Sequence, residues 1–111
     1  MSHKSTTDLQ NTDLRDATLK GADLSGADLN RANLNRAYLN RAYLNDANLS
    51  DAFLIEADLT NADLEGANLS DADLRDANLT DTTLHRANLS HAYLRDANLE
   101  GADLGGAKNV D

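Results

Sequence analysis

Leucine stands at residue 9 and at every fifth position thereafter to residue 104, a series of twenty with no insertion. Two residues before each is Ala, replaced only by Thr7, Thr12 and Thr82, and the residue between is mostly Asp or Asn. The unit is A(D/N)Lxx. On an α-helix, at about 100° per residue, successive leucines would step around the axis by a net ~140° and face every direction. On a flat strand an odd spacing would alternate them between faces. Neither regular element gathers them. The Ala–Leu spacing of two does place both side chains on one face of a short extended segment. The remaining positions are polar and often Asn, Asp, Gly or Ser, which suit turns. The pattern therefore predicts an all-β coil that makes one short extended side and one corner every five residues, with Ala and Leu inside.

Longer repeats give the number of sides. LRDA occurs at 14–17, 74–77 and 94–97, and ANLS at 47–50, 67–70 and 87–90, all separated by multiples of 20. The LNRA copies starting at 29, 34 and 39 show the simpler lag of five. Twenty residues per turn means four pentapeptides per coil, and the leucine series fills about five coils. The order of domains is then a short segment at 1–6, a repeat domain at 7–108 and a tail at 109–111.

These A(D/N)Lxx units, uninterrupted over nearly the whole chain, resemble the pentapeptide-repeat family. The resemblance implies a right-handed quadrilateral β-helix of stacked coils. It implies a bacterial protein, and it carries one specific functional expectation. Some members of the family bind DNA gyrase by imitating duplex DNA in shape and charge. Those members have loops interrupting the coils, a C-terminal dimerising helix and many central Phe residues, and the present sequence shows none of the three.

Composition narrows the classes further. The chain has 111 residues, with no Pro, Cys or Trp, one Phe and three Tyr, and a formal charge of −9 from 19 acids and 10 bases. Such a balance argues against direct binding of nucleic acid or anionic membrane, both of which need basic patches. The first residues contain no apolar run of signal-peptide length, and no stretch approaches a membrane helix, so a cytoplasmic protein is expected. A filled interior leaves no cleft. The sequence has no Gly-rich phosphate loop, Cys nucleophile or His-centred triad, so neither enzyme activity nor a cofactor is expected. His91, one coil above Asp71, and His85, one coil above Glu65, suggest surface pairs, with no third or fourth ligand for a metal.

Two sets of outward residues stand out once the chain is wound in coils of 20. Phe53 and Ile55 flank inward Leu54 and are expected to face outward, with Tyr93 two layers away on the same side; exposed apolar groups of this kind mark contact sites. Arg31, Arg36 and Arg41 form a basic band at three consecutive corners. Together these favour a non-catalytic scaffold that offers its flat sides to a protein partner. The alternative is an acidic DNA mimic acting on gyrase or another DNA-binding protein, through Asp23, Asp46, Asp63, Glu65 and Asp103, which share a side with one base, Arg86. The open ends of such a solenoid expose backbone edge groups, so an end-to-end homodimer is also expected. A repeat module, natural or designed, cut from a longer chain would read the same way.

Overall fold

A computed structural model describes residues 7–109. The chain winds as a four-sided coil in which each side is joined to the side 20 residues later by a parallel β-bridge at the residue before Leu, from Asp8–Asp28 to Asn88–Lys108. We number the sides in chain order. The first carries Leu9, Leu29, Leu49, Leu69 and Leu89; the second, third and fourth begin with Leu14, Leu19 and Leu24. The expected twenty-residue coil is therefore present.

Most backbone N–H groups of the interior coils have a destination, as burial of this much backbone demands. In the unit around Leu64, the Ala62 N–H closes the preceding corner on Leu59 O at 3.0 Å, and the Asp63 N–H reaches down to Ala42 O at 2.9 Å. The Leu64 N–H reaches up to Thr83 O at 2.7 Å and the Gly66 N–H to His85 O at 2.9 Å. The remaining donor, Glu65 N–H, is taken by the Asp63 side chain at 3.0 Å. The same side-chain cap recurs from Gln10 on Asp8 to Gly105 on Asp103. This is why Asp or Asn precedes Leu: its carboxylate or amide oxygen accepts the N–H two residues on, an Asx turn. Phe53 cannot do so, and the Ile55 N–H is accepted instead by Asn35 Oδ1 from the coil below, at 2.9 Å.

The corners are type II turns, with the second residue after each Leu in the left-handed region at φ 57 to 73°. Gly, Asn and Asp adopt this readily, but Arg31, Arg36, Arg41, Glu56, Arg86 and His91 are held there too. A side chain costs about 1–2 kcal/mol in that conformation. The stacking bonds on either side of the corner impose it.

Leu and Ala fill the interior. Leu29 through Leu84 are buried at every fifth position, while Leu9, Leu14 and Leu19 at one end and Leu94, Leu99 and Leu104 at the other are partly covered. Two of the Thr residues that replace Ala satisfy their hydroxyls on backbone: Thr12 Oγ1 donates to Leu9 O at 2.6 Å, and buried Thr82 Oγ1 to Leu59 O at 2.7 Å. No buried side-chain polar atom among the described residues lacks a partner. Residues 1–6, 110 and 111 lie outside the described part, so the boundaries expected for the terminal segments fall on or beside its limits.

Candidate functional site

The second side is chemically unlike the other three. Its column of residues before Leu runs Asp13, Asn33, Phe53, Asp73, Tyr93, each bridged to the next. Phe53 and Tyr93 are 45% and 61% exposed, which places two rings on the surface two layers apart as the sequence suggested. Ile55, just after inward Leu54, is half-buried, and its backbone N–H is held by Asn35.

Between the two aromatic residues lies an ion pair that sequence reading missed. Arg75 Nε and Nη2 bind the two carboxylate oxygens of Asp73 at 2.8 and 2.6 Å. Arg15 binds Asp13 with the same two-point geometry at 2.8 and 2.7 Å. The difference is cover: the Asp73 side chain is 13% exposed, that of Asp13 58%. Asp73 has Phe53 below and Tyr93 above, whereas Asp13 has a described neighbour on one side only. The only signal in the sequence was the D-L-R spacing, which also occurs at 13–15.

The Arg75 side-chain hydrogen bond holds the Asp73 carboxyl below its ordinary value, and Arg15 and Arg36 do the same for Asp13 and Asp16. A lowered folded pKa means stability that is present above the unfolded value of about 3.9 and is lost as pH falls through the lower folded value. Melting temperature should therefore decline as pH drops below about 4, and the decline should be shallower in Arg75→Ala. Thermal melts of both proteins from pH 6 to 2 check this; parallel curves would show that the pair contributes nothing.

The arginine band occupies three successive corners, all exposed. Arg36 is committed to Asp16 one coil below at 2.9 Å, while Arg31 and Arg41 have no ion pair among the described residues. Arg31 and Arg36 are the two corners that bound the second side one coil below Phe53.

The acidic fourth side is less uniform than its charge implied. Tyr43 and Thr83 alternate with Asp23, Asp63 and Asp103 along its column. Asp23, Asp63 and Asp103 each accept the N–H of their own turn, at 3.1, 3.0 and 2.9 Å. Glu65 pairs with Arg86 at 2.7 Å. Asp46 lies one coil below the corner at Gly66, where a Cβ would meet its Oδ1 at 2.5 Å. The expected His pairs do not form. Arg86 takes Glu65 from His85, whose ring instead covers Gly105, and His91 has no ion pair among the described residues. Nor does any group of three or more His, Cys, Asp or Glu among those residues suit a metal ion. No helix among them is long and apolar enough to cross a membrane.

Four stacked sides, five coils and outward polar columns define a quadrilateral β-helix. The sequence profile for pentapeptide repeats matches residues 7–36, 37–76 and 72–108, and the chain belongs to that family. Its helix is right-handed. Among solved structures it is similar to the pentapeptide repeat protein Rfr23 from the cyanobacterium Cyanothece 51142, with 38% identity, TM-score 0.77, and coverage of 78% of this chain and 58% of that one. It is also similar to HetL from Nostoc sp. strain PCC 7120, a protein involved in regulating heterocyst differentiation, with 34% identity, TM-score 0.60, and coverage of 93% and 60%. A third similar structure comes from the thylakoid lumen of Arabidopsis thaliana, with 33% identity, TM-score 0.63, and coverage of 95% and 70%. The present chain thus spans about three-fifths of the length of the first two. No curated protein matches it in sequence. The fold is a structural repeat generally without enzymatic activity.

Proposed function

We propose that this protein is a non-catalytic interaction module that docks a protein partner on its second side, in the cytoplasm. The observation that carries the reading is the Phe53–Asp73–Tyr93 column. Two exposed rings flank a shielded, charge-neutralised Asp73–Arg75 pair on one side, whereas exposed Tyr38 and Tyr43 stand singly on the third and fourth sides. Aromatic residues and arginine are the groups that dominate protein interfaces. Arg31 and Arg36 bound the same side and add cationic contacts at its lower end. Backbone bonding between coils fixes the spacing of these groups, so little ordering is left to oppose binding.

The test exploits the repeat itself. Asn in place of Phe53 and Tyr93 restores the cap that the rings cannot make for the N–H two residues on. The double variant Phe53→Asn, Tyr93→Asn should therefore melt within a few degrees of the wild type, yet lose the proteins that the wild type retains on an affinity column. Unchanged retention at unchanged stability would remove the second side from consideration. The acidic reading rests on net charge and on the family resemblance. A gyrase supercoiling titration at low salt, with and without a quinolone, distinguishes it: inhibition or drug protection that disappears on reversing Asp23, Asp63 and Asp103 would move the functional surface to the fourth side.

A further inference from the structure

The two ends of the coil are chemically complementary, and we propose that they bind each other head to tail, with each copy turned by one side relative to the last. At the lower rim the N–H groups of Asp8, Asp13 and Thr18 have no backbone partner among the described residues. At the upper rim the same holds for the N–H groups of Leu94, Leu99 and Leu104. Within the solenoid these two kinds of donor are satisfied by opposite neighbours. The Asp28 N–H donates down to Thr7 O at 2.8 Å, and the Leu9 N–H donates up to Asp28 O at 2.8 Å. The lower rim therefore lacks what the upper rim offers, and the reverse.

The register follows from the start of a sixth coil. Lys108 bridges Asn88, so residues 107 and 108 already occupy the next position on the first side. A copy stacked without rotation would place residues 7–9 on that position. Rotated by one side, its residues 7–9 lie over 92–94, and the native bonding resumes: Asp8 N–H to Ala92 O, Leu94 N–H to Asp8 O, Asp96 N–H to Gln10 O. Two further sides repeat the three bonds.

Three other features suit this occupant. A cleft of about 460 Å³ opens at the upper end, lined by Leu89, His91, Ala92, Leu94, Arg95 and Asn109, where the second side of the next coil would lie. The leucines exposed in part at both ends are covered in the same step. In this register Arg15 comes opposite Glu100, and Asp16 opposite uncharged Gly101, so the junction brings no like charges together on those sides.

Pairing of unlike ends gives an experiment that like-end pairing cannot pass. Thr18→Pro removes a lower-rim N–H that bonds nothing in the described chain and puts a ring in the path of the neighbour; Ala17→Lys is a second block of the same rim. Ala97→Lys does the same for the upper rim, its ammonium leaving through the open end. After far-UV spectra and melts confirm folding, sedimentation velocity is run over a hundredfold concentration range. The wild type should rise beyond twice the monomer mass, each blocked variant alone should stay monomeric, and an equimolar mixture of one lower and one upper variant should stop at the dimer. A monomeric wild type, a blocked variant that dimerises alone, or a mixture that stays monomeric would each overturn the proposal.

Discussion

A lysine in place of Leu59 should abolish the cooperative unfolding transition altogether. Leu59 lies in the middle coil and is 1% exposed. Its column places Leu39 and Leu79, both fully buried, one coil below and above. Removing the Leu side chain alone costs about 2–5 kcal/mol. Burying an ammonium among apolar groups adds several kcal/mol more, and no acid among the described residues shares the interior to pair with it. The sum reaches the whole stability of an ordinary domain, roughly 5–15 kcal/mol. Relief by local fraying is not open to it. Giving up the middle coil leaves two coils on either side, fewer than the roughly three repeats that a solenoid needs to hold together. Leu99→Lys provides the contrast: its site is partly covered at the end of the coil, and the ammonium can leave through the open rim. Urea denaturation followed by circular dichroism should show a stable Leu99→Lys and an unfolded Leu59→Lys. A Leu59→Lys protein that melts with the wild type would mean that the leucines do not form one closed interior.

Much of this arrangement was legible in the sequence because the period is so regular. Spacings of five and twenty fixed the inward residues, the four sides and the placement of Phe53 below Tyr93. What remained hidden depends on angles and choices between neighbours. Asp and Asn before Leu read as turn and surface groups; that Asp63 caps its own turn required the side-chain geometry. Arg31, Glu56 and His91 carry no glycine-like signal, so their left-handed corners could not be read from residue type. The pairing of Glu65 with Arg86 in place of His85 links residues 21 apart, and two candidates stood within reach. Side-chain reach decided between them. The shielding of Asp73 needed both its column neighbours and its own arginine, and the sequence showed these only as separate features. The apolar count at Ile55 likewise said nothing of the Asn35 oxygen that binds its backbone.

Proline, absent from the chain, should divide the repeat into one permitted position and four forbidden ones. Four of the five N–H groups bond to backbone, three of them between coils. The residue just after Leu is the exception, because its N–H goes to a side chain. It is also the first central residue of a type II turn, where the fixed φ of proline fits. Asn40 is the best such site. Tyr38, two residues earlier, offers no cap, and the Asn40 N–H has no acceptor among the described residues. Asn40→Pro should therefore be neutral or stabilise by about 0.4–1 kcal/mol, by restricting the unfolded chain. Tyr43→Pro, three residues on, removes the bond from its N–H to Ala22 O at 2.9 Å in the interior of a bridged side. A loss of about 3 kcal/mol or more is expected there. Asn61→Pro should be at least as damaging, since proline cannot reach the φ of 60° at that corner. Thermal melts of the three variants check the division. Equal destabilisation by all three would show that the position after Leu is bound into the stack as tightly as its neighbours. Tolerance of Tyr43→Pro would show that the bonds between coils are not what hold the sides in register.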